Sequence, residues 1–82
     1  MRSALVTDAS EVQATNLLLA TVALLKDVPE HGLTRGEVGT IVEGLDEATV
    51  LVEFSDDGGH AYAFASCPTR DLLVLRPIRR AV

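Results

Sequence analysis

The stretch that most constrains the fold runs over residues 24–42 and reads LLKDVPEHGLTRGEVGTIV. An apolar run ends at its start, a loop containing Pro29 and Gly32 follows, and apolar residues return after Gly36. Proline removes a backbone donor from a sheet and glycine permits a positive φ, so the chain must leave the first strand at this point. The stretch therefore predicts two strands joined by a loop of fixed shape.

Five short apolar segments along the chain are rich in the residue types that favour strands. They occupy residues 20–26, 38–43, 49–54, 60–66 and 72–75. Turn signals separate them at intervals of about ten residues, which is the spacing typical of a small barrel. The sequence therefore predicts a mainly β fold built as a small five-stranded barrel.

Several positions within these segments carry more detailed predictions. Val50, Val52 and Phe54 alternate along one strand and are expected to face the core. Gly39 inside a strand predicts a bulge, a bend or the close approach of another backbone. The Asp57-Gly58 pair is expected to supply the left-handed residues of a tight hairpin.

The connecting segments also carry predictions. Val28 and Leu33 bracket the polar residues of the first loop and are expected to pack back against the barrel. Residues 44–48 predict a polar hairpin turn. Residues 67–71 predict a short turn that includes one turn of 3₁₀ helix.

Three parts are predicted along the chain: an N-terminal arm over residues 1–17, a barrel over 18–78 and a C-terminal tail over 79–82. Asp8 or Ser10 with an acid or amide three residues later resembles a capping box, which favours a short helix in the arm. The apolar stripe of that helix is thin, so a partly disordered arm is the alternative.

The acidic balance of the chain excludes some partners. The chain has twelve acidic and seven basic residues and a formal net charge of -5, which argues against a nucleic-acid duplex as ligand. Arg76, Arg79 and Arg80 cluster near the C-terminus and are expected to form a solvated tail, with weak nucleic-acid binding as an alternative. A chain of 82 residues buries a modest fraction of its surface, so a complex or a homodimer is a further expectation.

The cysteine count and the apolar runs bear on location. The single cysteine, Cys67, excludes an internal disulfide and suits a reducing cytoplasm. The apolar run over residues 17–25 is about half the length that spans a bilayer, and acidic residues precede it where a signal peptide has basic ones. We therefore expect a cytoplasmic protein without a membrane segment.

The residues that could carry chemistry do not fall into a recognised pattern. His31, His60 and Cys67 show neither Cys-x-x-Cys nor His-x-x-x-His spacing, and Gly36 to Gly39 lacks the Lys and Ser or Thr of a phosphate loop. The sequence therefore predicts no catalytic, cofactor-binding or metal-binding residues and no enzymatic activity. Cys67 is expected to be a small buried hydrophobe, with a reactive thiol as the alternative.

Several segments in a fixed order resemble a known family. They are residues 25–33, 35–43, 52–54, 62–63 and 72–73. In order and spacing they resemble a family of small bacterial proteins catalogued as domain of unknown function number 4926, over about residues 18–76. The resemblance implies an SH3-like barrel with no established activity.

A more distant similarity is to the SH3-like domain of the nitrile hydratase β subunit. There, too, a loop rich in Pro, Gly and His precedes an Arg-Gly-x-Val-Gly turn, the pattern that residues 35–39 show here. The metal ligands of that enzyme lie on its other subunit, so the similarity implies no catalytic residue here.

A small barrel of this kind commonly binds a polypeptide in a groove between its first long loop and its hairpin tips. The residues predicted to line that groove are Pro29, Glu30, His31, Leu33, Asp56, Asp57 and Tyr62. Acidic loops favour a cationic partner, so we expect a non-enzymatic, protein-binding barrel in an antitoxin-like, immunity-like or adaptor role. The alternatives are an accessory module of an enzyme such as a nitrile hydratase and weak nucleic-acid binding.

Overall fold

The computed structural model describes residues 17–75, which form five antiparallel strands. The strands are β1 (Thr21–Leu24), β2 (Val38–Asp46), β3 (Thr49–Ser55), β4 (Ala61–Pro68) and β5 (Leu72–Leu75). Short 3₁₀ turns occupy Pro29–His31 and Thr69–Asp71. The predicted mainly β, five-stranded fold is confirmed, while the predictions for residues 1–16 and 76–82 lie outside the described residues.

The strands form one sheet in the order β4-β3-β2-β1-β5, and neighbouring strands are antiparallel. The long strand β2 pairs with β1 through its first residues and with β3 along most of its length. Register shifts interrupt the β2–β3 ladder between Ile41 and Glu43 and between Gly44 and Asp46. Such irregularities bend a strand, so the sheet curls around its core into a small SH3-like barrel with β4 and β5 at its edges.

The core consists of the side chains on the concave face of this sheet. Val50, Val52 and Phe54 are fully buried, as their alternation predicts. Burial of each such side chain stabilises the fold by about 1.5–3 kcal/mol. The other buried apolar residues are Leu17, Val22, Leu24, Leu33, Ile41, Ala65, Cys67 and Leu72.

Gly39 lies where β2 passes closest to β3. A Cβ at this position would lie 2.7 Å from Val52 Cγ1, 2.8 Å from the backbone oxygen of Glu53 and 2.9 Å from Phe54 Cδ2. Protein Cβ atoms do not approach other atoms this closely, since interiors are packed at van der Waals contact. The predicted close approach of another backbone is therefore confirmed.

The first long loop is anchored by its two apolar members. Val28 and Leu33 pair across it, with the Val28 N–H donating to Leu33 O at 2.9 Å. Between them the 3₁₀ turn ends at Gly32, which has a φ of 70° and donates its N–H to Pro29 O. Leu33 belongs to the core and Val28 packs against it, as predicted.

The hairpin between β3 and β4 differs from the prediction. The Gly59 N–H donates to Asp56 O, and the Asp56 N–H donates to His60 O. The left-handed residue is Gly59, with a φ of 84°, so its assignment to Asp57-Gly58 is wrong. A three-residue hairpin loop places its left-handed residue third, where glycine pays no steric penalty.

Two strands extend beyond their predicted ends. β2 continues through Asp46, because Gly44 and Asp46 still pair with β3, so the turn is shorter than the predicted residues 44–48. β4 continues through Pro68, which pairs with Thr49. The predicted 3₁₀ turn then occupies Thr69–Asp71.

Candidate functional site

The side chains of β4 divide between the core and the outer surface of the sheet. Ala65 and Cys67 are buried, whereas Tyr62 and Phe64 are 53% and 51% exposed. The alternation is visible in the sequence, and the structure shows that the small residues are the inner ones. Ala65 pairs with Val52 of β3, and Cys67 pairs with Val50. Both valines are fully buried, so the aromatic rings of β4 are left on the outer surface.

A hydrogen-bonded network fixes Tyr62. Its Oη donates to Glu37 Oε1 at 2.7 Å. Glu37 Oε2 accepts bonds from the Thr34 N–H at 2.8 Å and from Thr34 Oγ1 at 3.2 Å. The carboxylate therefore joins the turn before β2 to the start of β4.

The same network shifts the pKa values of Glu37 and Tyr62. The bond from Tyr62, followed by the bond from the Thr34 N–H, holds the pKa of Glu37 below its ordinary value. The bond to Glu37 and then partial burial raise the pKa of Tyr62, and the negative charge of Asp56 adds to this. Tyr62 therefore stays a phenol beside a carboxylate at neutral pH.

Carboxylates surround the two exposed aromatic rings. Glu53 pairs with Phe64 across the β3–β4 ladder. Asp56 acts electrostatically on Tyr62, which also contacts Glu37. We define the acidic aromatic face as Glu37, Glu53, Asp56, Tyr62 and Phe64.

The first loop lies beside this face. Its 3₁₀ turn, Pro29–His31, contacts β4, and Glu30 lies exposed on that turn. Asp57 lies exposed in the β3–β4 hairpin next to Asp56. The part of the chain that the structure describes has basic residues only at Lys26, Arg35 and Arg70, so the carboxylates outnumber them.

Six of the seven residues predicted to line a binding groove are exposed, and one is not. The six are Pro29, Glu30, His31, Asp56, Asp57 and Tyr62. Leu33 is 2% exposed within the core and therefore presents no surface to a partner. It was placed in the groove by its position in the loop, whereas its pairing with Val28 turns it inward.

Sequence reasoning missed three members of the acidic aromatic face. Phe64 is two residues from Tyr62 in a strand, and that period indicated a shared face. Glu53 faces outward by the same alternation, opposite to Val52 and Phe54. Glu37 is 25 residues from Tyr62 in the chain, and no local pattern indicates their contact.

The remaining titratable groups of the described residues lie apart from one another or in pairs. Within residues 17–75 no group of three or more His, Cys, Asp or Glu side chains is placed to hold a metal ion. His60 Nδ1 lies 3.7 Å from Asp56 Oδ1, with its side chain largely in solvent. Burial, followed by the charge of Asp71, raises the pKa of Cys67, so this thiol is protonated within the core.

No helix among the described residues has the length and apolar character needed to cross a membrane.

Comparison with protein-family models matches residues 18–74 to the Domain of unknown function (DUF4926). That match covers well over half of the 82-residue chain and confirms the predicted family. No curated protein and no solved structure matches the chain. The similarity to the nitrile hydratase β subunit stays a prediction.

Proposed function

The chain belongs to the DUF4926 family. From its exposed surface we propose that it is a non-enzymatic module that binds a basic segment of a partner protein. The observation that carries the proposal is the pair of half-exposed aromatic rings, Tyr62 and Phe64, set among carboxylates on the outer surface of the sheet. The acidic aromatic face is the proposed contact surface.

The aromatic rings supply the apolar part of such a contact. Phe64 has no polar atom, so covering its exposed surface gains about 25 cal/mol per Å². Tyr62 is already held by its bond to Glu37, so less conformational freedom is lost when a partner binds. Aromatic side chains of this kind are frequent anchors in protein interfaces.

The carboxylates select a cationic partner. Arg and Lys side chains pair with carboxylates and lie favourably over aromatic rings, and Glu53 beside Phe64 offers both groups together. The net charge of -5 attracts a basic protein and repels the phosphates of a nucleic acid. It also disfavours a second copy of the chain, so we propose a different protein as the partner.

The charge and size of the module suit a role in covering a cationic surface of that partner, as an adaptor or an immunity-like protein does. We place the complex in the bacterial cytoplasm, because the one cysteine of the chain is a buried free thiol, which suits a reducing compartment.

Affinity capture from an extract of the source cells tests this function with matched charge reversals. Glu53→Lys changes the acidic aromatic face, and Glu47→Lys makes the same change in the β2–β3 turn at the other end of β3. We expect the wild type and Glu47→Lys to recover the same partner and Glu53→Lys to recover at least about ten-fold less. Equal recovery by all three proteins, or recovery of nothing above the empty matrix, would overturn the proposal.

A further inference from the structure

Among residues 17–75, β4 is an edge strand of the sheet and pairs with β3 alone. It spans eight residues, Ala61–Pro68, and contains no charged side chain. Proteins normally protect such edges with charges, prolines or bulges. In the described part of the chain the register shift falls near Tyr62 and the proline is the last residue of β4. Phe64 and Ser66 are exposed, so the edge between them lacks these protections within residues 17–75.

The register shows which backbone groups of β4 face outward. The Thr69 N–H donates to Ala48 O at 2.8 Å, next to the Thr49–Pro68 pair. Since antiparallel residues alternate in the direction of their hydrogen bonds, Cys67 bonds to β3 and Ser66 does not. By the same alternation, Phe64 and Ser66 direct their N–H and C=O groups away from the sheet.

We infer that an extended segment of the partner adds to the free edge of β4 as a further strand, and this inference rests on the proposed function. Main-chain hydrogen bonds from Phe64 and Ser66 would hold the segment, and the acidic aromatic face would select its side chains. The incoming residues that bond to this edge have side chains on the same face as Phe64.

Charge complementarity identifies the segment as one that alternates basic and apolar residues. The side chains of the added segment that lie on the outer face are next to Phe64 of β4. They are two strand spacings, about 10 Å, from β3, which carries Glu53. An Arg side chain spans that gap, so the basic residues belong on the outer face. A second copy of β4 would instead bring an uncharged strand to this edge, with no cation for the Glu37 and Glu53 carboxylates.

A labelled peptide of about eight residues that alternates valine and arginine is the probe for this mode of binding. Ser66→Pro removes the N–H that would bond to the incoming strand, and an edge strand tolerates proline where its N–H faces solvent. Ser66→Ala keeps that N–H and is the matched control. We expect Ser66→Ala to bind the probe within about two-fold of the wild type and Ser66→Pro at least about ten-fold more weakly, with thermal melts confirming that both variants fold.

A change in the probe makes the same test without changing the protein. When the arginine side chains lie on the same face as Phe64, the arginine N–H groups point toward β4 and the valine N–H groups point away. A peptide methylated on its arginine backbone nitrogens therefore cannot donate hydrogen bonds to β4, whereas one methylated on its valine nitrogens can. We expect the first peptide to lose binding and the second to retain it. Equal binding of the two peptides would overturn the inference.

The outcomes separate this inference from the proposed function. If Ser66→Pro binds the probe like the wild type while Glu53→Lys loses it, the face binds basic peptides and strand addition is wrong. If the wild type does not bind the probe, strand addition is also wrong, and capture from the extract still decides the proposed function. A wild-type dimer that Ser66→Pro converts to a monomer would make a second copy the occupant and overturn the inferred basic segment.

Discussion

At Gly39 the packing of β3 leaves no room for a side chain. Replacing it with alanine would place a methyl group 2.8 Å from the backbone oxygen of Glu53, which cannot rotate away as a side chain does. We expect Gly39→Ala to lower the free energy of unfolding by about 1–3 kcal/mol, the usual cost of overpacking. Chemical denaturation measures this difference.

Gly58→Ala is the control for this prediction. The closest atom to a Cβ at Gly58 is Nδ1 of the exposed His60 side chain, at 3.2 Å, and that side chain can move. We expect a change within about 0.5 kcal/mol. Equal losses of stability in the two variants would show that the tight β2–β3 approach at Gly39 is not the cause.

Single residues were predictable where one local rule decides their position. Val50, Val52 and Phe54 follow the period of two, and Cys67 follows the tendency of free cysteine to be buried. The left-handed position in the β3–β4 hairpin was not predictable in this way. The pairing of Asp56 with His60 decides it, and that pairing depends on the register of two whole strands.

At the scale of elements, the number of strands and their succession along the chain follow from the sequence, and the residues at which they end do not. Apolar alternation stops near Glu43, yet β2 continues because Gly44 and Asp46 pair with β3. The candidate site shows the same limit. Tyr62 and Phe64 were visible as one side of a strand, but which side faces the core depends on Phe54 in the neighbouring strand.

The bond between Tyr62 and Glu37 joins two elements and gives a pH-dependent prediction. Tyr62→Phe removes the donor, so the pKa of Glu37 should rise toward its ordinary value. A lowered pKa in the folded state contributes stability above the unfolded pKa and loses it as pH falls through the folded pKa. The wild type should therefore be more stable than Tyr62→Phe at neutral pH, with the difference shrinking in acid.

Two measurements check this prediction. Thermal unfolding of both proteins at about pH 7 and about pH 3 gives the stability difference, and a carboxyl NMR titration gives the pKa of Glu37. The pKa of Tyr62 is raised, so its contribution to stability depends on pH in the opposite direction. That contribution is present below the ordinary tyrosine pKa and is lost as pH rises through the raised pKa. A stability difference that is the same in acid and at neutral pH would show that the bond does not lower the pKa of Glu37.

For the whole molecule, the mainly β fold class and the net charge were predictable, because each follows from adding up local properties of the residues. The net charge of -5 and the strand-like segments give a small acidic β barrel. The proposed contact surface depends instead on how β2, β3 and β4 are brought together. Their arrangement sets two aromatic rings and three carboxylates near a strand edge that no other described strand covers, a combination that composition does not contain.

Hydrogen–deuterium exchange of the chain, alone and bound to the captured partner, tests the central claim most directly. The account predicts slower exchange at the Phe64 and Ser66 amides on binding, since these are the outward groups of β4. It predicts no change at Glu47 and Ala48 in the turn at the other end of β3. Protection at that turn or along Leu72–Leu75, with β4 unchanged, would contradict it.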